Sequence, residues 1–142
     1  MKILFVAGVA AIVPDPAAAR ALYVDGLELP LSDEEYAHTT ELGGVKHFGL
    51  WPLREAALAC FGRADWPSEI AVPQASIEFE VEDVAAAADE LVAKGHHLIH
   101  GPKTEPWGQT VARLLGPEGL LIGLSYAPWY HQPPDETATT GT

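Results

Sequence analysis

The sequence predicts an α+β fold built from two copies of one β-α-β-β-β unit. Residues 13–23 and 81–91 share a pattern at a constant offset of 68 residues. In each copy an apolar strand ends at a valine, and Asp15 or Asp83 follows at the position of a helix N-cap. An alanine-rich helical pattern comes next in both copies. Because strand, cap and helix repeat in one register, the pattern indicates a duplicated unit.

The first unit has alternating apolar segments separated by turn residues. Its predicted elements are, in order, a strand over 3–13, a helix over 16–25, a strand over 36–41 and a strand that ends at Trp51. The pair Gly43-Gly44 predicts the turn before that last strand. A connector follows, with a short helix over 54–61 and with Trp66 packed within the connector itself.

The second unit is read in the same way. Its predicted elements are a strand over 75–81, a helix over 84–94, and strands over 97–100, 109–115 and 120–126. Gly95 ends the helix, and residues 116–119 form the last turn. The predicted organisation is a first unit over 1–51, a connector over 52–73, a second unit over 74–129 and a flexible tail over 130–142, all in one domain.

Composition excludes several classes of function. The 142 residues are 48% hydrophobic, which suits a folded core, and their net charge of −12 repels phosphate backbones and anionic lipids. We therefore expect neither nucleic acid nor a membrane as a partner. The single Cys60 reads as a small buried hydrophobe and suits a reducing cytoplasm. The first 21 residues resemble a signal peptide, but we expect them to be kept because the repeat needs this strand and helix.

Three segments carry a family resemblance: 77–84, the Trp-Gly motif at 106–109 and the Gly-Pro-Glu-Gly hairpin at 116–124. They resemble the vicinal oxygen chelate superfamily, which includes glyoxalase I, extradiol dioxygenases, and fosfomycin-resistance and bleomycin-resistance proteins. Glu28 and Gly116 depart from the family pattern without affecting the fold. The resemblance implies two modules whose mixed sheet curls around a cavity, often in a homodimer.

Strand alternation predicts which side chains face that cavity. The expected inward residues are Gly8, Ala10, Ile12, His47, Gly49, Trp51, Ser76, Glu78, Glu80, Leu121, Gly123 and Ser125. The resemblance places the metal ligands of metal-dependent members at Gly8, Gly49, Ser76 and Gly123. Three glycines and a serine offer neither imidazole nor carboxylate, so we predict no metal there and no cofactor.

The remaining polar and aromatic side chains around the predicted cavity are candidates for ligand binding. They are His38, His47, Trp51, Glu78, Glu80, Trp107, Gln109 and Arg113. Trp51 and Trp107 would either stack on a ligand or fill the cavity themselves. The carboxylates of Glu78 and Glu80 would be desolvated unless they are paired or hydrated. Arg113, a cationic ligand, water or a second subunit could do this.

Other conspicuous residues are given structural roles. The histidines in 96–100 are interpreted as a solvated corner, Trp129 as a cover for the core or a dimer seam, and His131 as part of the tail. No second group matches the two glutamates, so no catalytic residue is assigned.

The leading hypothesis is a metal-free, homodimeric, cytoplasmic protein that sequesters or carries a small aromatic molecule, neutral or cationic, such as an antibiotic. The alternative is a lyase, isomerase or dioxygenase of the same superfamily, with a displaced metal held by His47, Glu78 or the histidines in 96–100. Metal-independent acid-base catalysis by a glutamate is a third possibility.

Overall fold

The computed structural model describes residues 1–131, which form one seven-stranded mixed sheet with helices on both faces. The elements are β1 (Phe5–Val13), α1 (Pro16–Arg20, continued by a π-helical turn over Ala21–Gly26), β2 (Ala37–Thr39), β3 (Phe48–Pro52), α2 (Leu53–Phe61), β4 (Ala75–Glu80), α3 (Val84–Ala93), β5 (His100–Thr104), β6 (Thr110–Leu115), β7 (Leu121–Tyr126) and a 3-10 turn (Pro128–Tyr130). Within residues 1–131, no helix combines the length and apolarity needed to cross a membrane.

The strand order is β2-β3-β1-β4-β7-β6-β5, so each repeat contributes one half of the sheet. The first strands of the two halves, β1 and β4, pair antiparallel at the centre. In each half the first strand also pairs in parallel with the last one, β1 with β3 and β4 with β7. The predicted α+β class is confirmed.

The two helices of the repeat begin at equivalent positions. Asp15 accepts a hydrogen bond from the Ala18 amide at 3.1 Å, and Asp83 accepts one from the Ala86 amide at 3.0 Å. Each aspartate satisfies an amide that the first helical turn leaves without a partner. The capping residues that mark the repeat in the sequence therefore start both helices.

The first unit differs from the prediction in its number of strands. Two strands, β2 and β3, follow its helix in the described chain, where the repeat predicts three. The segment between the helix and β2 contains Pro30, which cannot donate to a sheet, and Glu28, whose φ is 56°. These two residues interrupt the extended conformation that a further strand requires.

The strand predicted over 97–100 is also misplaced, because β5 runs from His100 to Thr104. The helix end extends to His96, and the next apolar residues pack into the core instead of forming a strand: Leu98 contacts the cluster beneath α3 and Ile99 the cluster beneath α2. Gly95 adopts a φ of 93°, and the His96 amide donates to the Leu91 carbonyl at 3.0 Å. Pro102 is accommodated because β5 is an edge strand with an irregular register.

Side-chain alternation separates the two faces of the sheet. Phe79, Val81 and Leu124 pack with α3, while Val13 and Leu50 belong to the cluster beneath α1. The polar residues of β4 point to the opposite face.

The connector covers one end of that opposite face. Ile12 and Leu121, which were expected to line a cavity, pack instead with Ala56 of α2. Trp66 makes the predicted contacts within the connector: its ring lies edge-on to Phe61 at 4.9 Å, and its indole donates to the Ile70 carbonyl at 3.1 Å. It also packs against the cluster that contains Ile12 and Leu121, which the prediction did not include.

Gly49 on β3 is required by a close contact with Tyr36. A Cβ atom added at Gly49 would clash with the Tyr36 hydroxyl oxygen and would lie 2.5 Å from the ring carbon that carries it. The tyrosine therefore crosses the backbone at a point where any other residue would displace it.

We predict that G49A lowers the free energy of unfolding by about 1–3 kcal/mol, because the new methyl group forces the Tyr36 ring out of place. Urea unfolding measures the change. G43A is the matched control, since a Cβ there meets no atom within 4 Å, and it should stay within about 0.5 kcal/mol of the parent. If G49A lowers the free energy of unfolding equally in the parent and in a Y36A background, the proposed contact between Gly49 and Tyr36 is contradicted.

Candidate functional site

A cavity of about 640 Å³ lies on the sheet face opposite α1 and α3, between α2 and the segment that follows β7. Its lining includes seven of the eight predicted candidates: His38, His47, Trp51, Glu78, Trp107, Gln109 and Arg113. The site also includes Tyr36, Glu55, Glu105 and Tyr130, which the sequence reasoning did not single out.

Two glycines make room for Glu78 on the cavity floor. Glu78 pairs in register with Gly8 on β1 and with Gly123 on β7. A Cβ atom at Gly123 would lie 3.2 Å from the Glu78 Cγ, and one at Gly8 would lie 3.6 Å from its Oε1. The Glu78 side chain thus fills the space that side chains at these two positions would enter.

A short hydrogen-bond chain orients the Glu78 carboxyl group. The Trp107 indole donates to Gln109 Oε1 at 2.8 Å, and an indole N–H can only donate. The Gln109 amide nitrogen therefore faces the other way, and it donates to Glu78 Oε2 at 2.9 Å and to Ser125 Oγ at 2.8 Å. Glu78 Oε1 accepts no hydrogen bond from the described residues and is directed at the cavity.

Burial raises the pKa of the Glu78 carboxyl group, while the Arg113 charge and the Gln109 hydrogen bond act in the opposite direction. Glu55, on the first turn of α2, is similar. Burial and the nearby charge of Glu35 raise its pKa, and its Oε2 is buried without a partner among residues 1–131. The cavity therefore holds two carboxyl groups whose charged forms are poorly solvated.

Three stacked rings form a wall beside them. Tyr36, His38 and His47 have centroids 5.3–5.7 Å apart and planes within 20° of parallel. The Tyr36 hydroxyl lies 2.8 Å from His47 Nε2. Burial and the charge of Glu78 raise the pKa of the Tyr36 phenol, and burial lowers the pKa of His47. The phenol therefore stays protonated and donates a hydrogen bond to a neutral imidazole.

Arg113 pairs with Glu105, not with the glutamates of β4. Its Nη1 donates to Glu105 Oε1 at 2.8 Å, and both side chains are buried, at 1% and 6% exposure. Nη1 also lies 3.2 Å from His100 Nε2, and the guanidinium carbon is 5.4 Å from the centre of the Trp51 ring. Glu105 enters the cavity because its amide donates to the Gln109 carbonyl, which closes the turn before β6.

Glu80 does not line the cavity, contrary to expectation. It is fully buried, and its Oε2 accepts hydrogen bonds from the Ala127 amide at 2.6 Å and from His131 Nε2 at 2.7 Å. These bonds anchor the segment after β7, which places Trp129 and Tyr130 in the cavity wall. The interpretation of His131 as part of the tail was wrong. Trp129 is 49% exposed in the cavity wall and does not cover the core, and its alternative role at a dimer seam stays a prediction. Residues 132–142 lie outside the described residues.

The family's metal positions do not fit a metal ion here. Gly8, Gly49 and Gly123 offer no ligand atom, and the Glu78 and Tyr36 side chains lie against them. In the described part of the chain, no three His, Cys, Asp or Glu side chains lie close enough together to hold an ion. The 96–100 segment does not assemble a displaced site either: His96 and His97 are exposed, and His100 contacts Arg113.

We predict that E78Q is more stable than the parent at pH 7 and that the difference shrinks as the pH falls. The folded state raises the pKa of Glu78, so it binds this proton more tightly than the unfolded chain does. The free energy of unfolding of the parent therefore decreases as the pH rises from the ordinary pKa of a glutamate to the raised pKa of Glu78. Above the raised pKa, Glu78 is ionised in the folded state and the full destabilisation is present. Urea unfolding across this pH range measures the difference.

The control for this experiment is E118Q, which removes an exposed carboxylate from the β6–β7 turn. It should remain within about 0.5 kcal/mol of the parent over the same pH range. A parent and an E78Q variant with parallel pH profiles would show that Glu78 is not desolvated.

Solved structures resemble this fold at low sequence identity. A glyoxalase/bleomycin resistance protein/dioxygenase superfamily member from Vibrio splendidus 12B01 is 18% identical with a TM-score of 0.54, and the match covers 85% of this chain and 97% of that one. Methylmalonyl-CoA epimerase from Mycobacterium tuberculosis is 16% identical with a TM-score of 0.57, covering 92% and 93%. A hypothetical protein from Bacillus halodurans C-125 is 19% identical with a TM-score of 0.56, covering 93% and 97%.

No curated protein matches the chain. The structural matches establish the fold alone, because all three are below 20% identity. The family model for the Glyoxalase/Bleomycin resistance protein/Dioxygenase superfamily matches residues 6–124, which span β1 to β7. The chain therefore belongs to the glyoxalase/bleomycin resistance protein/dioxygenase superfamily.

Proposed function

We propose that the protein binds a small aromatic molecule with a positive charge, without the help of a metal ion. The observation that carries this proposal is the Glu78 Oε1 atom, which faces the cavity and accepts no hydrogen bond from the described residues. A protonated amine would donate to this oxygen and offset the desolvation of the carboxylate.

The size and walls of the cavity suit a flat organic ligand. Its volume of about 640 Å³ is within the range of about 300–1,000 Å³ that is usual for small-molecule sites. Five aromatic side chains line it: Tyr36, Trp51, Trp107, Trp129 and Tyr130. Aromatic rings bind flat ligands by stacking and also attract cations through their faces.

Charge supports the preference for a cation. The lining contains three carboxylates, Glu55, Glu78 and Glu105, against one guanidinium, that of Arg113. Arg113 and the nearby Lys103 both pair with Glu105, at 2.8 Å and 3.6 Å, so Glu78 forms no ion pair with a cation among residues 1–131. The net charge of −12 also attracts cationic ligands over longer distances.

The metal-dependent alternative is supported less well. A lyase, isomerase or dioxygenase that uses a metal needs several nitrogen or oxygen ligands around one point, and the residues at the family's metal positions do not supply them. Sequestration or transport is the simplest use of a cavity that binds without chemistry. Homodimer formation and a cytoplasmic location stay predictions.

The test is a fluorescence titration with three probes on one ring: 2-(aminomethyl)anthracene, 2-(hydroxymethyl)anthracene and anthracene-2-carboxylate. We expect the ammonium probe to bind most tightly. E78Q should weaken it by about 10- to 100-fold, since a hydrogen bond to a charged group contributes about 1.5–3 kcal/mol. The alcohol should change by less than about 3-fold.

E118Q removes the same formal charge away from the cavity, so it separates a local effect from a change in net charge. It should leave all three affinities within about 2-fold of the parent. Absence of binding by every probe, or tighter binding of the carboxylate than of the ammonium, would contradict the proposed function.

A further inference from the structure

We propose that the cavity also recognises a carbonyl oxygen of the same ligand, through the unpaired edge of the Arg113 guanidinium. The ligand class would then be a protonated amine on an aromatic ring system that carries a carbonyl group. The proposal rests on the proposed function and adds a second contact point to it.

Arg113 and Glu78 stand in one row across the sheet. Arg113 pairs in register with Gly123 on β7, and Gly123 pairs in register with Glu78 on β4. The two backbones are therefore two strand spacings apart, roughly 10 Å, and both side chains line the cavity. Because Gly123 has no side chain, no side chain on β7 separates the two charged groups at this position.

Two nitrogens of the Arg113 guanidinium have N–H groups that bind no protein acceptor in the described chain. Nη1 contacts Glu105 and His100, while Nη2 and Nε donate to no acceptor within residues 1–131. Arg113 is only 1% exposed, but neither Nη2 nor Nε is among the fully buried polar atoms without a partner. The small accessible part of the side chain therefore includes these N–H groups, and Arg113 lies in the cavity lining. An acceptor on the ligand would supply the hydrogen bonds that few water molecules can supply there.

The free edge is also held in a fixed orientation. Glu105 and His100 bind one side of the planar guanidinium, and the Trp51 ring lies 5.4 Å from its central carbon. A planar fork whose orientation is already set loses little rotational freedom when it binds an oxygen. Arg113 is thus prepared to donate, and it needs no rearrangement to do so.

A neutral oxygen suits this edge better than a carboxylate. Glu105 already balances the charge of Arg113, and Glu78 and Glu55 add two more carboxylates to the same lining. A further anion would be repelled by these groups, whereas a carbonyl oxygen accepts the hydrogen bond without adding charge. The carbonyl of a ketone, a quinone or an amide has the required chemistry.

The test compares 2-(aminomethyl)anthraquinone with 2-(aminomethyl)anthracene, which share the ammonium group and the three-ring outline and differ in the two quinone oxygens. Displacement of the fluorescent anthracene by the quinone gives their relative affinity. We expect the quinone to bind about 10-fold more tightly, as one hydrogen bond to a charged group predicts. Equal affinities would overturn the carbonyl proposal and leave the proposed function standing.

A paired variant, R113M/E105Q, checks that Arg113 is the donor. It removes both charges of the buried pair together, and the charge that loses its partner is that of Lys103, whose side chain is 38% exposed. The preference for the quinone should fall to less than about 2-fold, while the ammonium probe still depends on Glu78. R63M, at an exposed connector residue, should keep the full preference.

The other outcomes are decisive as well. A preference for the quinone that survives in R113M/E105Q would overturn the role of Arg113. If neither amine binds the parent, the proposed function fails and this inference fails with it. Thermal unfolding of the variant, recorded beside the titrations, distinguishes a folded protein that has lost the preference from an unfolded one.

Discussion

The cavity depends on one buried carboxyl group and on the space that is kept for it. Glu78 lies between two strands on which glycines, Gly8 and Gly123, face it in register. Within the described residues Gln109 is its hydrogen-bond donor, and the Trp107 indole fixes the direction of that amide. Because one oxygen is held and the other faces the cavity, the group is both fixed in place and ready to accept a hydrogen bond from a ligand.

Glycines stand at three positions where metal-dependent members of the family carry metal ligands. A Cβ atom at Gly49 would clash with Tyr36, and one at Gly123 would press on the Glu78 Cγ at 3.2 Å, whereas one at Gly8 would only touch Glu78. At Gly49 and Gly123, a metal-ligating side chain would therefore have to displace a residue of the present cavity floor. The charge of Arg113 is neutralised by its ion pair with Glu105. The Glu78 carboxylate is therefore available to a cationic ligand.

Much of the fold could be predicted from the sequence, because its signals are local. Asp15 and Asp83 mark helix starts whatever surrounds them. Alternation along β4 and β6 correctly placed Glu78, Gln109 and Arg113 on one face. The strand at 97–100 was misplaced because Leu98 and Ile99 are apolar for another reason: each packs into a core cluster before β5 begins at His100.

The errors at the site have a different origin, since they depend on long-range geometry. Glu80 lies on the predicted face, but the segment after β7 covers it, and nothing near Glu80 in the sequence signals this contact. The pairing of Arg113 with Glu105 depends on a turn that closes before β6. The contact between Tyr36 and Gly49 depends on a ring that extends past the end of a three-residue strand.

Elemental analysis of untagged protein tests the central claim most directly. The protein would be incubated with an excess of Mn²⁺, Fe²⁺, Co²⁺, Ni²⁺, Cu²⁺ or Zn²⁺ and then desalted. A floor occupied by Glu78 and Tyr36 predicts far less than one equivalent of any metal per chain. One tightly held equivalent, lost on replacement of Glu78 or His47, would contradict the account, because those side chains would then have to move to form a metal site.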